Sequence, residues 1–176
     1  MVNILENGSV WLTSGVTAGS SIRIVSKVIN VVAVNDAPAI AAFDTTIGYT
    51  ENGVGLRLDV DATVSDLDSA NFDAGVLTVT LTANAEGTDR QEIRNEGNGS
   101  IQINVVGTNV RYGATVVGSF TGGTGATPLA ITLHASATPA AVQALLRNLT
   151  YRSTSENPSV APRTVQVALT DGDGGE

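Results

Sequence analysis

Leu77-Thr78-Val79-Thr80-Leu81-Thr82 carries the clearest structural signal in this chain, because apolar and hydroxyl side chains alternate along it without a break. Successive side chains of a β-strand point to opposite faces, so a period of two predicts a strand with one buried face. The same alternation recurs at residues 56–58, 101–106, 129–134 and 164–169. Turn-rich stretches separate these segments, and that spacing is typical of a β-sandwich.

One segment departs from the period of two and predicts a short helix. Thr138 is a good N-cap residue type, and Pro139 fits the first helical position. Apolar residues follow at spacings of three and four, which gives one apolar face: Val142, Leu145, Leu146 and Leu149. The sequence therefore predicts an all-β sandwich with one short helix in its C-terminal half, followed by a strand at residues 149–152.

Composition limits the functions that this chain can have. With 176 residues, 42% of them hydrophobic, it can bury a core, but without cysteine it forms no disulfide and no thiolate metal site. Its formal net charge of −8 argues against nucleic acid and against an anionic membrane surface as partners. No apolar stretch approaches the ~20 residues that a membrane-spanning helix needs, so no membrane insertion is expected.

The aspartates are bunched, since six of the ten lie between Asp44 and Asp73. Within that region Asp66 and Asp68 would share one face of an extended chain and offer hard oxygen ligands to Ca²⁺. The alternative is that they are turn residues bonded to their own backbone. Asp59 and Asp61 are expected to face solvent. An extracellular domain without disulfides needs another stabilising link, and bound Ca²⁺ can serve as one.

Catalysis is not indicated by any group of residues. His134 is the only histidine, it falls at the polar phase of a predicted strand, and no Ser/His/Asp set can be argued around it. The glycine-rich residues 122–125 lack the Lys-Ser/Thr and the helix of a phosphate-binding loop. We therefore expect a protein that is not an enzyme.

Several motifs follow one another in a characteristic order and spacing: Val34-Asn35-Asp36-Ala37-Pro38, Tyr49-Thr50-Glu51-Asn52-Gly53, Val64-Ser65-Asp66-Leu67-Asp68-Ser69, the helical residues 141–151, Ser155-Glu156-Asn157-Pro158-Ser159 and Leu169-Thr170-Asp171-Gly172-Asp173-Gly174-Gly175. By these motifs residues 35–176, about four-fifths of the chain, resemble the cadherin-like repeats of large bacterial surface adhesins and RTX-type repetitive proteins. The resemblance implies a Greek-key sandwich in a tandem array, with Ca²⁺ at the junctions between repeats. The implied junction ligands are Asn35, Asp36, Glu51, Asp66 and Asp68. Asp171 and Asp173 are implied as further ligands near the opposite end of the repeat.

The resemblance also implies an extracellular location on the bacterial cell surface, with any export signal outside this sequence. The leading hypothesis is a non-catalytic, calcium-binding adhesion module whose partners are neighbouring repeats of the same protein. The alternative is a carbohydrate-binding module on a secreted or surface protein, with cell-surface or matrix polysaccharide as its partner.

The predicted domain organisation has two parts. Residues 1–35 are expected to be the terminal strand of a preceding repeat plus a linker, and residues 36–176 a repeat that lacks its own last strand. Residues 21–35 are rich in Val and Ile and are predicted to form one long strand. Residues 22–34 would extend ~43 Å at ~3.3 Å per residue and could fill the vacant sheet position in the same molecule or in a neighbour. Strand-swapped self-association is therefore a further expected interaction, because an open edge invites pairing.

Overall fold

The computed structural model describes residues 2–4, 10–12 and 25–174, and the chain divides into two compact units, Met1–Ala33 and Val34–Glu176. In the first unit, β1 (Val2–Ile4) pairs antiparallel with β2 (Val10–Leu12). Residues 25–35 form no strand, so the long strand predicted for residues 21–35 is wrong over its described part, and residues 21–24 lie outside the described residues. A strand needs a neighbour for its backbone hydrogen bonds, and no described strand pairs with these residues.

The second unit contains all the remaining described elements, which are short strands and one helix. In chain order they are β3 (Ala39–Ala41), β4 (Leu56–Arg57), β5 (Thr63–Ser65), β6 (Val76–Ala83), β7 (Asp89–Ile93), β8 (Ile103–Val106), β9 (Asn109–Tyr112), β10 (Thr115–Thr121), β11 (Leu129–Leu133), α1 (Pro139–Leu146), β12 (Leu149–Ser153) and β13 (Thr164–Leu169).

These strands form an antiparallel sandwich. One sheet has six strands in the order β13-β6-β11-β10-β9-β8, and the other has three in the order β4-β12-β7. A two-stranded pair, β3 with β5, accompanies them. Strands that are distant in sequence lie side by side, because β6 pairs with β11 on one edge and with β13 on the other. The predicted fold class is confirmed as an all-β sandwich with one short helix.

The core is aliphatic, as expected for a chain with 4% aromatic residues. Leu77 and Val79 of β6 and Ile131 of β11 are completely buried, and Leu149 of β12 joins the same cluster from the smaller sheet. Phe72 is the one fully buried aromatic side chain in the described part of the chain. Burying one such side chain contributes roughly 1.5–3 kcal/mol, so these contacts hold the sandwich together.

The helix α1 begins where the sequence predicts it but ends earlier, at Leu146, so Leu149 belongs to β12 and not to the apolar face of the helix. Thr138 is its N-cap, and its Oγ1 accepts a hydrogen bond from Ala141 N at 3.3 Å. The apolar face buries Val142, Leu145 and Leu146 in the core, and β12 follows directly at Leu149 as predicted. None of the described helical residues belongs to a helix that is long and apolar enough to cross a membrane.

One predicted strand begins later than expected. The alternation that starts at residue 101 becomes regular strand only in β8, at Ile103. A turn precedes it, closed by a hydrogen bond from Gln102 N to Gly99 O at 3.0 Å, and this turn leaves Ile101 73% exposed. The local turn geometry thus overrides the side-chain pattern at these two residues.

Candidate metal centre

Three segments that are distant in sequence meet at one end of the second unit: the linker at 34–36, the loop at 66–69 after β5, and the loop at 170–174 after β13. Asn35 Nδ2 donates a hydrogen bond to Asp171 Oδ2 at 2.7 Å. The N–H of Asp36 donates to Asp68 Oδ2 at 3.2 Å. The structure therefore connects six of the seven predicted ligands in one group, here called the three-loop cluster: Asn35, Asp36, Asp66, Asp68, Asp171 and Asp173. The expectation that Asp171 and Asp173 lie at the opposite end from the linker is wrong, because the hydrogen bond from Asn35 holds Asp171 beside it.

Asp66 organises the middle loop of this cluster. Its Oδ1 accepts hydrogen bonds from the N–H of Ser69 at 2.7 Å and of Asp68 at 3.1 Å, the turn arrangement that was the alternative to a metal role. Because β5 ends at Ser65 and a bend follows, the prediction that Asp66 and Asp68 share a face of an extended strand is wrong. Asp66 Oδ2 and Ser69 Oγ are both buried and have no hydrogen-bond partner among the described residues.

Asp66 carries a charge at neutral pH. Burial by itself raises the pKa of its carboxyl group, but the N–H groups of Ser69 and Asp68, with smaller contributions from the side chains of the same two residues, outweigh burial and hold the pKa below its ordinary value of 3.8. An ionised oxygen that is shielded from water and has no donor is unfavourable. A cation beside Asp66 Oδ2 would remove that penalty.

Asp171 holds the linker in place and is only 2% exposed. Its Oδ2 accepts from Asn35, and its Oδ1 accepts from the N–H of Asp173 at 3.0 Å. Gly172 has φ +92°, and a Cβ there would collide with the carbonyl oxygen of Asp73, so only glycine fits this turn. Both Asp171 oxygens already have donors, which makes this side chain less available to a cation than Asp66.

Glu51 is not part of the three-loop cluster. It lies in a turn closed by a hydrogen bond from Gly53 N to Thr50 O at 3.1 Å, and it lines the same cleft as Arg163. Arg163 precedes β13, whereas Asp171 follows it, and six strand residues span roughly 20 Å. Glu51 and the three-loop cluster therefore lie at opposite ends of β13.

A second acidic group was not predicted. In residues 25–174, one set of acidic side chains has ligand oxygens that all lie within 4.8 Å of one another: Asp44, Asp59 and Asp61. The prediction that Asp59 faces solvent is wrong, because it is 2% exposed. The sequence signal that could have indicated this group is the spacing Asp59-Val60-Asp61, which is the same as that of Asp66-Leu67-Asp68.

Backbone hydrogen bonds account for the burial of Asp59. Its Oδ1 accepts from Asp61 N at 2.9 Å and Ala62 N at 2.5 Å, and its Oδ2 accepts from Asp44 N at 2.8 Å. Burial raises the pKa of Asp59, but these donors outweigh it and the pKa lies below 3.8. Since both oxygens are satisfied, this group stabilises the turn after β4. The three-loop cluster has no comparably close set of three, so a bound ion there would have to draw its carboxylates together.

A buried ionic network near the start of β13 was also missed. Arg163 donates from Nε to Asp89 Oδ2 at 3.2 Å and from Nη2 to Glu86 Oε2 at 2.6 Å, while Tyr151 Oη donates to Asp89 Oδ1 at 2.7 Å. Burial raises the pKa of the Asp89 carboxyl group. The backbone N–H of Glu86, the hydroxyl of Tyr151 and the guanidinium of Arg163 together outweigh burial and hold this pKa below 3.8. Burial and the neighbouring Asp89 raise the pKa of Tyr151 to about 12.

Comparisons with protein-family models, with curated proteins and with solved structures found no match to this chain. The similarity to cadherin-like repeats therefore stays a prediction from the sequence motifs.

Proposed function

We propose that the second unit is a non-catalytic, calcium-binding structural and adhesion module of a large extracellular bacterial repeat protein. The observation that carries this proposal is the buried Oδ2 of Asp66, an ionised oxygen without a donor in a loop that also contains Asp68. Ca²⁺ prefers oxygen ligands and tolerates irregular coordination, which suits carboxylates supplied by separate loops.

The chemistry of the three-loop cluster fits this ion. Asp66 Oδ2 and the exposed carboxylates of Asp36 and Asp68 would hold it, with water filling the remaining positions, since Ca²⁺ takes six to eight ligands. Drawing two carboxylates to about 4 Å from each other without a cation would cost ~1–4 kcal/mol, depending on the local dielectric. Bound Ca²⁺ supplies the positive charge that turns this repulsion into attraction.

The mechanical consequence follows from where Asn35 and Asp36 lie in the chain. They are the first polar residues of the second unit, so an ion shared by Asp36 and Asp68 would fasten the entering linker to the body of the sandwich. The bond from Asn35 to Asp171 already restrains that linker from the other side. A module with a fixed entry angle suits a tandem array whose partners are neighbouring repeats.

Calcium titration of the full chain by calorimetry, combined with thermal unfolding, tests the proposal. A ligand at 100 times its dissociation constant adds ~2.7 kcal/mol of stability, and each kcal/mol raises Tm by about 2–4 °C in a domain of this size. We expect Ca²⁺ to raise Tm by about 5–10 °C relative to excess chelator.

Asp66→Asn should abolish most of this rise, because the substitution keeps the shape of the side chain and removes its charge. Asp61→Asn is the matched control, since it removes an exposed carboxylate from the other acidic group, and it should respond to Ca²⁺ like the native chain. Coinciding melting curves in Ca²⁺ and chelator, with no heat of binding, would refute the proposal.

A cleft of about 650 Å³ supports a carbohydrate-binding module as the second candidate. Tyr49 and Tyr151 line it with ring centroids 5.2 Å apart at 87°, and Glu51 and Asn157 add polar groups. Small-molecule sites combine aromatic and apolar side chains with a few polar groups. Retention of the chain by insoluble polysaccharide, lost in Tyr49→Ala and kept in Asp66→Asn, would favour this function over the calcium module.

A further inference from the structure

β13 is an edge strand whose core-facing residues are incompletely covered. In the described part of the chain its one hydrogen-bonded neighbour is β6. The inward residues of β6, such as Leu77 and Val79, are fully buried, whereas Val165, Val167 and Leu169 of β13 remain half-buried although they pack on the same core. An added strand beside β13 would cover these three side chains and take up the outward backbone groups.

Residues 25–34 have the composition of such a strand but form none. Their apolar side chains are strongly exposed, with Val31 at 88% and Val34 at 82%. Val and Ile are the residue types most enriched in strands. At ~3.3 Å per residue these ten residues are longer than the six of β13, so they can cover its whole edge.

The chain direction is the reason to assign this strand to a second copy. Val34 is bonded to Asn35, and Asn35 is held at 2.7 Å from Asp171, two residues beyond the end of β13. Residues 25–34 would therefore have to run parallel to the β13 of their own chain. Every strand pair in the described residues is antiparallel. An antiparallel partner for β13 must enter from the other end, as a second copy can.

We infer that residues 25–34 of one copy, here called the donor segment, add to β13 of a second copy as an antiparallel strand. The added strand extends the six-stranded sheet by one and buries the exposed valines of the donor segment against Val165, Val167 and Leu169. Each copy offers a donor segment at one end of β13 and an acceptor edge along it, so the contact is head-to-tail and can continue from copy to copy. This inference does not depend on calcium.

Light scattering during gel filtration of the full chain tests it, over a wide range of concentration and both with Ca²⁺ and with chelator. We expect the mass to rise from the 17.9 kDa of one chain to roughly twice that value or more in both solutions. The double variant Val28→Asp/Val32→Asp should stay at the mass of one chain, because charged side chains on a strand oppose its pairing with an open edge. Val54→Asp changes a valine that is 91% exposed outside the donor segment, and it should associate like the native chain.

Disulfide trapping identifies the edge that is used, and the absence of native cysteine makes it unambiguous. Chains with one cysteine at each position from 28 to 32 are mixed with Gln166→Cys chains, and at least one mixture should form a heterodimer upon oxidation. Val106→Cys places the same thiol on β8, the opposite edge of the sheet, and should give no such heterodimer. A constant mass of one chain, association that survives Val28→Asp/Val32→Asp, or equal trapping at Val106 would each overturn the inference.

Discussion

Asn35 and Asp171 are 136 positions apart in the chain, yet Asn35 Nδ2 lies 2.7 Å from Asp171 Oδ2. The bond joins the linker that enters the second unit to the loop that follows its last described strand. Because Asp171 is 2% exposed, its carboxylate depends on this amide and on the N–H of Asp173 rather than on water. This contact is what brings the two ends of the second unit together.

Removing the Asn35 amide should therefore destabilise the second unit. Asn35→Ala leaves a buried carboxylate oxygen without its donor, and such a loss costs about 1–3 kcal/mol. Urea unfolding should show a lower midpoint with an unchanged slope. Asn157→Ala is the control, because no hydrogen bond of the exposed Asn157 side chain occurs among the described residues; equal midpoints for the two variants would contradict this role of Asn35.

Gly172→Ala should weaken the same end of the molecule by a different mechanism. The backbone there has φ +92°, and a Cβ would meet the carbonyl oxygen of Asp73. A strained conformation of this kind costs of order 1–3 kcal/mol, so Tm should fall. Gly174→Ala, also at positive φ but with open space around the new Cβ, should lower Tm less. If both variants have the same Tm, the steric contact at Gly172 does not affect stability.

Arg163 should be among the most sensitive polar positions, because its side chain pairs with the fully buried Asp89. Removing one partner of a buried ion pair costs about 3–5 kcal/mol, since the other charge stays buried without compensation. Arg163→Leu should unfold at much lower urea concentration than Arg57→Leu, as Arg57 makes no ion pair in the described part of the chain. If the unfolding free energies of these two variants differed by less than about 1 kcal/mol, the pair between Arg163 and Asp89 would contribute no more than an exposed ion pair.

Acid should destabilise the protein partly through Asp89. The pKa of Asp89 is lower in the folded chain than its ordinary value of 3.8, so its contribution is complete above that value and disappears as pH falls through the folded pKa. The unfolding free energy of the native chain should therefore decline below about pH 5. Asp89→Asn should show a shallower decline in urea titrations at several pH values; parallel profiles would exclude Asp89 as a source of the acid sensitivity.

Alkali should also destabilise the protein, through Tyr151, whose pKa is shifted upward and not downward. The pKa of Tyr151 is raised from 10.0 to about 12, so its contribution is complete below pH 10 and is lost as pH rises through 12. A rise of this size corresponds to about 2–3 kcal/mol. Tyr151→Phe should be less stable than the native chain at pH 8, and the difference should shrink between pH 10 and 12. The change in tyrosinate absorbance near 295 nm would follow the titration directly.

The elements whose signals are local could be predicted from the sequence. The alternation of Leu77, Val79 and Leu81 with threonine predicted β6, and the same pattern predicted β11 and β13. Thr138 and Pro139 predicted the start of α1 within a residue, because capping and proline geometry act over a single turn.

The candidate site was predictable only in part. Five Asp residues and Asn35 were singled out by spacing and by resemblance, and the structure joins these six into one cluster. Glu51 was assigned to the same site, but its turn lies at the other end of β13. Asp59 was expected in solvent and is buried, since the number of backbone donors around a carboxylate depends on how a loop folds back.

The sequence by itself determined the segments with a strong local signal, among them β6, β11, β13 and the start of α1, since alternation and caps act on neighbouring residues. The tertiary structure decided which loops meet, that β13 lies beside β6 at an open edge, and that residues 25–35 form no strand despite their composition. The physical reason is that a strand and a multi-loop site both need partners from far along the chain, and no local pattern names those partners.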